Sequence, residues 1–240
     1  MVLAVAVDTA RKNQIRREAP GRGGGTTQIP IFGSRDNPNL PLASLNQLDP
    51  GLYSSTHFHI VDQFQVIVDG KGKLGRHALA PYGVHFSRAY TPYGPLVSDA
   101  GDGLKFFVMR AHPDTGSQRD LAHLKQIPNR EPWQITRAVN FPVQSATADM
   151  TLEPIPGIQD ERGLAAYALS MKPHAKAIAP DPSHGDGQYV IVVKGSLFHG
   201  GGEYRALSML FVYPNEGPFK LHAGAQGLEA LALNFPTPQV

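Results

Sequence analysis

Two short sequence segments each recur further along the chain, and the two repeats are separated by almost the same number of residues. This repetition limits the folds that the chain can adopt. The segment QFQVIVDG (63–70) returns as QYVIVVKG (188–195), an offset of 125 residues from 63 to 188. The pair Gly103-Leu104 returns as Gly227-Leu228, an offset of 124 from 103 to 227. Two separate matches at almost the same offset indicate a duplicated unit of about a hundred residues, a common domain size.

The apolar segments of the chain predict that each unit is built from strands. They are short, rich in Val, Ile, Phe and Tyr, and separated by turn signals among 25 glycines and 21 prolines. Only residues 114–127 have helix-like spacing, with Leu121, Leu124 and Ile127 on one side. We therefore predict an all-β chain of two tandem units with a short helical linker.

We expect four segments along the chain. Residues 1–40 are predicted to form an N-terminal arm, because the basic tract RKNQIRR (11–17) is typical of a solvated surface. Residues 41–113 form the first β domain, 114–130 the linker and 131–240 the second β domain.

Charge and hydropathy exclude several classes of partner. The net charge is +2, there is no cysteine, and no apolar stretch approaches the roughly 20 residues of a membrane span. The opening MVLAVAV is too short for the apolar part of a signal peptide. We expect a cytoplasmic protein that binds neither nucleic acid nor membrane.

A histidine pair precedes the first repeated strand. His57, His59 and Gln63 are all odd-numbered, so their side chains lie on one face if the strand pleat continues through this segment. The even-numbered residues 64, 66 and 68 form an apolar face. If the apolar face fills the interior, the histidines point to solvent. If the polar face is the interior, a neighbouring barrel or a second subunit must cover the apolar face. Parity leaves both interpretations open.

The spacing of these residues resembles the first motif of the cupin superfamily. That motif runs Gly, five residues, His-x-His, three or four residues, Glu, six residues, Gly. This chain has Gly51, five residues, His57-x-His59, three residues, Gln63, six residues and Gly70, so only the glutamate is replaced.

The second cupin motif is matched less closely. Gly75, five residues and Pro81-Tyr82-Gly83 fit it, but His85 comes one residue early. The resemblance covers residues 50–113 well and 160–236 more loosely. It implies a bicupin, with two tandem cupin-type jelly-roll barrels.

The resemblance also implies a divalent transition metal, of which Fe, Mn, Zn and Ni are the candidates, held by His57, His59 and Gln63. The fourth ligand stays open between two residues. His85 lies near the expected place, and an alignment on TPYGP puts Tyr93 there instead. Arg88 is a candidate partner for a carboxylate substrate in the same pocket.

The second half departs from the motif, which indicates a degenerate C-terminal barrel. His184 and Gln188 replace His59 and Gln63, but Pro182 stands in place of His57 and Leu210 in place of His85. Either Pro218 or Phe219 stands in place of Tyr93. One imidazole and one amide hold a metal poorly.

The predicted function is that of a metal-dependent cupin acting on a small organic molecule. A non-haem oxygenase-type enzyme is the first hypothesis, with a dioxygenase favoured over a lyase or an isomerase. The alternatives are a non-catalytic binding or sensing bicupin and a structural barrel without metal. We also expect a homodimer.

Overall fold

Strands dominate the computed structural model of the chain, which describes residues 2–19, 21, 24–34, 37, 39–114, 122–123 and 132–238. These residues also include a short helix, α1 (Val7–Ala10), and 3₁₀ turns at Arg11–Asn13 and Pro214–Glu216. The strands in chain order are β1 (Val2–Val5), β2 (Ile15–Ala19), β3 (Gly24–Phe32), β4 (Leu42–Leu48), β5 (Tyr53–Ser54), β6 (Gln63–Gly70), β7 (Gly72–Leu74), β8 (His77–Leu79), β9 (Val84–Ser87), β10 (Leu96–Ser98), β11 (Leu104–Arg110), β12 (Gln134–Arg137), β13 (Met150–Gln159), β14 (Ala165–Met171), β15 (Lys176–Ile178), β16 (Gln188–His199), β17 (Gly202–Arg205), β18 (Met209–Val212) and β19 (Lys220–Asn234). The all-β prediction is confirmed.

The chain divides into two units. The N-terminal unit comprises residues 11–138, and the C-terminal unit comprises residues 1–10 and 139–240. In the N-terminal unit, seven antiparallel strands are ordered β12-β9-β6-β11-β4-β3-β2, and a second sheet is ordered β5-β10-β7-β8. Apolar side chains from both of its sheets, among them Leu48, Leu74, Leu96 and Phe106, pack into one cluster.

The C-terminal unit repeats this arrangement. Its main sheet is ordered β1-β18-β16-β19-β14-β13, with β17 paired to β16 and β15 paired to β19. Strands β9-β6-β11-β4-β3 of the N-terminal unit therefore correspond to β18-β16-β19-β14-β13. The edge strands β12 and β1 also correspond, because Thr136 of β12 pairs with His85, and Ala4 of β1 pairs with Leu210, the residue equivalent to His85. The duplication inferred from the two sequence matches is present in the strand order.

The unit boundaries differ from the predicted segments at both ends. Strands β2 and β3 lie within the predicted arm of residues 1–40 but belong to the sheet of the N-terminal unit, and β1 pairs with β18 in the C-terminal unit. Strand β12, placed in the second domain by the sequence, pairs with β9 of the N-terminal unit. The pairings of β1 with β18 and of β12 with β9 join segments far apart in the chain, so local composition did not reveal them.

The predicted helical linker lies largely outside the described residues, which omit 115–121 and 124–131. No helix in the part of the chain that the structure describes is long and apolar enough to cross a membrane.

The repeated glycines form the same contact in both units. Gly70 has φ of 75° and Gly195 has φ of 72°, a region that disfavours residues with a Cβ. A Cβ on Gly70 would collide with the carbonyl oxygen of Gly103, and a Cβ on Gly195 would collide with that of Gly227. The two sequence matches therefore mark a close approach between β6 and β11, and its counterpart between β16 and β19.

Alanine at Gly70 should destabilise the protein more than alanine at Gly51. Gly51 has the same φ of 75°, but a Cβ there would meet no heavy atom of the described residues within 4 Å. Gly51→Ala carries only the backbone strain, about 1 kcal/mol, whereas Gly70→Ala adds the collision and should cost about 3 kcal/mol. Urea unfolding of both variants measures the difference. Equal losses would contradict the role given to the Gly70–Gly103 contact.

The polar face of the N-terminal sheet is the inner one. On β6 and β9, Gln63 pairs with Ser87 and Gln65 with His85, so these four side chains share a face. All four are buried, as are the apolar residues of the opposite face, which include Phe64, Val66, Val84 and Phe86. The histidine face is therefore not solvent-exposed, which resolves the ambiguity that parity left.

Candidate functional site

The N-terminal unit contains a cavity of about 390 Å³. Its lining is polar on one side, where His57, His59, Gln63, Tyr93 and Arg110 meet. Leucines 48, 52 and 96 and Phe106 supply the apolar side. Further polar residues, among them Gln28, Ser44, Asn46 and Gln65, complete the lining. A concave site on which several polar side chains converge is a candidate small-molecule site.

Backbone pairing holds the two histidines in place ahead of β6. The His57 N–H donates to the Tyr93 carbonyl at 3.1 Å, and the Tyr93 N–H donates to the His57 carbonyl at 2.9 Å. The Tyr90 N–H donates to the His59 carbonyl at 2.6 Å. The HFH segment is thereby fixed against the segment that carries Tyr93, which explains why residues 36 apart meet at one site.

Each imidazole is oriented by an acceptor on its Nδ1 atom. His57 Nδ1 lies 2.8 Å from the Ser55 carbonyl oxygen, and His59 Nδ1 lies 2.7 Å from Asp114 Oδ2. A neutral imidazole that donates from Nδ1 carries its lone pair on Nε2. This is the arrangement by which metal-binding histidines are commonly oriented.

Both imidazoles are held in the neutral form. Burial lowers the pKa of His57 and lowers that of His59 to about 4, and the positive charge of Arg110 acts in the same direction on both. For His59, the hydrogen bond to Asp114 opposes this change, but burial outweighs it. Neutral Nε2 atoms are the form that binds metal ions.

A chain of hydrogen bonds joins His57 to Arg110. The Tyr93 hydroxyl lies 3.1 Å from His57 Nε2 and accepts from Gln63 Nε2 at 2.8 Å. Arg110 donates to Gln63 Oε1 from Nε at 2.9 Å and from Nη2 at 2.6 Å. Burial raises the pKa of Tyr93 to about 12, so its phenol keeps its proton and can donate it to His57 Nε2.

Gln63 differs from the metal ligand that the motif predicted. Its only acceptor atom, Oε1, receives two hydrogen bonds from Arg110, and an arginine can only donate. The amide oxygen is thus committed to a cation. Gln63 instead positions Arg110 on one side and Tyr93 on the other.

His85 also differs from its predicted role. It is 1% exposed, its Nδ1 lies 3.0 Å from Thr136 Oγ1, and its ring packs 5.4 Å from that of Tyr93. It is not among the cavity-lining side chains. Within the described residues, no three His, Cys, Asp or Glu side chains converge as a metal site. The rings of His85, His57 and His59 all lie against the Tyr93 ring, and the buried Nε2 atom of His85 has no hydrogen-bond partner among the described residues.

Burial of His85 should make the protein acid-sensitive. Burial first, and the nearby His77 second, lower the pKa of His85 to about 3. In the unfolded chain His85 is protonated as the pH falls below about 6.5, whereas in the folded chain it is protonated only near pH 3. This contribution to stability is complete above pH 6.5 and is lost as the pH falls toward 3.

The substitution His85→Leu, which copies the equivalent Leu210, should flatten this dependence. Between pH 6.5 and pH 4 the wild-type protein should lose about 3 kcal/mol of unfolding free energy through this group, and the variant should not. Urea unfolding in the presence of a chelator measures both, with His184→Leu at an exposed histidine as the control. Parallel pH curves for wild type and His85→Leu would refute the assignment.

Tyr93 and Arg88, the remaining predicted residues, have different positions. Tyr93 lines the cavity and contacts both His57 and Gln63. The Arg88 guanidinium lies 5.0 Å from the centre of the Trp133 ring, a cation–π distance, and Arg88 is not a cavity-lining residue. The expected role of Arg88 in binding a substrate carboxylate is thus not supported by its position.

Two site residues were missed by the sequence reasoning. Arg110 ends β11 on the same face as Phe106 and Val108 and is 7% exposed. A charged residue at an inward position of a buried strand is a signal that could have been used. Asp114 is fully buried against His59, 55 residues away in the chain, and no local pattern marks it.

The donor set fits a divalent cation at the Nε2 atoms of His57 and His59. Both atoms belong to neutral, oriented imidazoles that line the cavity, with ring centres 5.4 Å apart, and the Tyr93 oxygen lies beside one of them. Imidazole suits first-row transition metals. With two imidazoles as the strong protein ligands, a bound ion would keep coordination positions for a small molecule.

Comparison with known proteins supports the fold. No protein-family model matches the chain, and no curated protein matches it significantly by sequence. Solved structures of cupin proteins match over nearly the whole chain. The chain therefore has the cupin fold, in its two-barrel form. In particular, its N-terminal barrel has a polar interior. Its C-terminal barrel is filled by an apolar cluster that includes Leu169, Val190, Val192 and Leu210.

Three of these structures illustrate the similarity. A candidate dioxygenase from Nostoc punctiforme is 13% identical with a TM-score of 0.64, and the match covers 100% of this chain and 85% of that one. The pirin YhhW of Escherichia coli, in complex with nickel(II), is 11% identical with a TM-score of 0.62 and coverage of 99% and 100%. The oxalate decarboxylase of Bacillus subtilis, with Mn(II) centres, is 12% identical with a TM-score of 0.63 and coverage of 100% and 78%.

Proposed function

We propose that the N-terminal barrel binds one divalent transition metal at His57 and His59 and acts there on a small organic molecule, as a non-haem oxygenase-type enzyme. The observation that carries this proposal is the orientation of the two buried imidazoles by Ser55 and Asp114, which puts the lone pairs of both on Nε2. A metal ion at His57 would replace the Tyr93 hydroxyl as the partner of its Nε2 atom. The nickel(II), the Mn(II) and the candidate dioxygenase activity of the similar structures agree with it.

The metal and the protein groups have separate tasks in this proposal. A divalent ion with open positions supplies Lewis-acid or redox chemistry to a bound oxygen atom. Tyr93 holds a proton next to His57, because burial keeps its pKa near 12. Gln63 fixes the Arg110 guanidinium beside the ligand site. The apolar side of the cavity limits water around the bound molecule.

A second candidate function is non-catalytic binding of a small molecule. It is favoured by one observation: the acceptor atom of Gln63, at the motif's third ligand position, is occupied by two hydrogen bonds from Arg110. A binding module would show a ligand-dependent rise in melting temperature that is the same in chelated and metal-loaded protein.

Elemental analysis of the purified protein, followed by chelation and reloading with Fe(II), Mn(II), Ni(II) or Zn(II), tests the metal directly. The proposal expects about one ion per chain and a melting temperature that rises with added metal. Substoichiometric metal after reloading with each of the four ions would refute it.

A further inference from the structure

Two inward strand positions hold amides in the N-terminal barrel and hydrocarbon in the C-terminal barrel. Gln65 of β6 corresponds to Val190 of β16, and Asn46 of β4 corresponds to Leu169 of β14, by the pairing of these strands with β11 and β19. Val190 and Leu169 are fully buried in the apolar cluster of the C-terminal unit. Gln65 and Asn46 instead line the cavity of the N-terminal unit. The barrel fold itself therefore does not require amides at these positions.

The amide of Gln65 has unused hydrogen-bonding capacity. The residue is 4% exposed and lines the cavity, and within the described part of the chain its side chain makes no hydrogen bond. A buried amide that lacks partners costs free energy. Such a group takes its partners from whatever fills the cavity.

Three further side chains on the same side of the cavity have spare capacity as well. Gln28 Nε2 and Asn46 Nδ2 each donate to the Ser44 hydroxyl oxygen at 3.2 Å. Within the described residues, these are the side-chain hydrogen bonds of both amides, so each amide keeps its carbonyl oxygen and one N–H for other partners. The Ser44 hydroxyl keeps its proton to donate. Residues 28, 44, 46 and 65 together form a polar wall.

The chemistry of the polar wall fits hydroxyl groups. An amide presents a donor and an acceptor side by side, and a hydroxyl both donates and accepts, whereas a carboxylate only accepts and an ammonium group only donates. The wall itself carries no charge. Arg17 and Glu18, which also line the cavity, are exposed and have opposite signs, and Arg110 gives two of its nitrogens to Gln63. Recognition at the wall therefore depends on neutral hydrogen bonds.

The cavity also offers apolar contact for a carbon skeleton. Phe106 lines it from β11, and Tyr53, which is 47% exposed, lines it from β5. An aromatic ring can cover the C–H groups of a molecule whose hydroxyls point elsewhere. The volume of about 390 Å³ lies near the lower end of the range for small-molecule pockets, about 300–1,000 Å³, which suits a molecule of monosaccharide size.

We propose that the cavity binds a neutral polyhydroxylated molecule, a sugar or a sugar alcohol, with its hydroxyl groups on the polar wall and its carbon skeleton toward Phe106 and Tyr53. The inference rests on the proposed function in one respect, that this cavity is the functional site. It requires neither a metal nor a charged anchor, because the wall residues are neutral and are not candidate metal ligands.

Binding of three six-carbon probes to the chelated wild-type chain tests this ligand class. Sorbitol carries a hydroxyl on every carbon, 1,6-hexanediol carries hydroxyls only at its two ends, and gluconate replaces one end of the polyol with a carboxylate. Isothermal titration calorimetry should show sorbitol binding about tenfold more tightly than 1,6-hexanediol, because the inner hydroxyls supply hydrogen bonds to the wall. Gluconate should bind no more tightly than sorbitol.

The variant that tests the wall combines Asn46→Leu with Gln65→Val, which copies Leu169 and Val190 of the C-terminal barrel. It should fold and lose the preference for sorbitol over 1,6-hexanediol, a change of about tenfold. The matched control is Gln47→Leu, since Gln47 follows Asn46 on β4 but does not line the cavity. If the double variant does not fold, Gln65→Val alone should reduce the preference in the same direction.

Four outcomes would overturn this inference. Sorbitol could bind no better than 1,6-hexanediol, or gluconate could bind about tenfold more tightly than sorbitol, which would place recognition on an anion. A folded double variant could keep the preference, or Gln47→Leu could lose it to the same extent.

Metal analysis of the same samples separates this inference from the proposed function. Selective sorbitol binding by a protein that takes up no metal would refute the metal site and leave the ligand class standing. Metal uptake without selective sorbitol binding would do the reverse.

Discussion

Alanine at both His57 and His59 should reduce the divalent metal content of the protein from about one ion per chain to less than about a tenth of that. The two imidazoles are the strong donors in the cavity, and their Nδ1 atoms are already bound to Ser55 and Asp114. Two further oxygen ligands line the cavity: that of Tyr93 belongs to a neutral phenol, and the carboxylate of Glu18 is 66% exposed and bonded to Arg16. Without the imidazoles, the described residues around the cavity offer a divalent ion no comparable ligand.

The measurement is elemental analysis of purified, reloaded protein, with circular dichroism to confirm that the variant is folded. The matched control replaces two exposed histidines outside the cavity, His77→Ala with His184→Ala. Metal loss in the control as large as that in the site variant would show that binding is adventitious. Full metal retention in the site variant would remove His57 and His59 from the proposed centre.

A glutamate should destabilise the protein much more at Gln188 than at the equivalent Gln63. Gln188 is fully buried, and its Nε2 donates to the Pro180 carbonyl at 2.8 Å and to Asn234 Oδ1 at 2.7 Å. A carboxylate there would face two acceptors and no cation among these partners. We expect Gln188→Glu to cost about 4 kcal/mol, which lowers the melting temperature by about 10 °C.

At Gln63 the same change meets the Arg110 guanidinium, which already donates two hydrogen bonds to this position. The new ion pair should hold the unfolding free energy of Gln63→Glu within about 1 kcal/mol of wild type. Thermal and urea unfolding of both variants at pH 7 give the comparison. Similar destabilisation by the two substitutions would refute the difference in electrostatic environment between the two barrels.

The pH dependence of the unfolding free energy provides a second test of Gln63→Glu and Gln188→Glu. A buried carboxyl without a cationic partner becomes protonated at higher pH than a paired one, because burial disfavours its charged form. The deficit of Gln188→Glu should therefore narrow as the pH falls below neutrality. A deficit that stays constant down to pH 4 would indicate steric misfit as its cause.

Much of the architecture could be read from short segments of the sequence. The repeated glycines were visible because a close approach between two strands tolerates no side chain, and this demand recurs in each barrel. The unit boundaries could not be read in the same way. Strand β1 completes the sheet of the C-terminal unit, and β12 pairs with His85 and its neighbours in the N-terminal unit. Such pairings depend on segments distant in the chain.

The candidate site was partly predictable for a related reason. The spacing of His57, His59 and Gln63 is local, so the motif resemblance located all three. The partners that decide what each residue does come from elsewhere: Arg110 for Gln63, and Asp114 for His59. Those partners turn Gln63 from an expected ligand into a positioning residue.

The sequence by itself determined that this chain forms two β units by duplication, because alternation and turn glycines act within a few residues. It could not determine which face of each sheet is the interior, since alternation is the same whichever face turns inward. The tertiary structure decided that: amides, imidazoles and Arg110 line the N-terminal interior, while hydrocarbon fills the C-terminal one. Whether a polar side chain becomes a site or remains on the surface depends on the distant residues that enclose it.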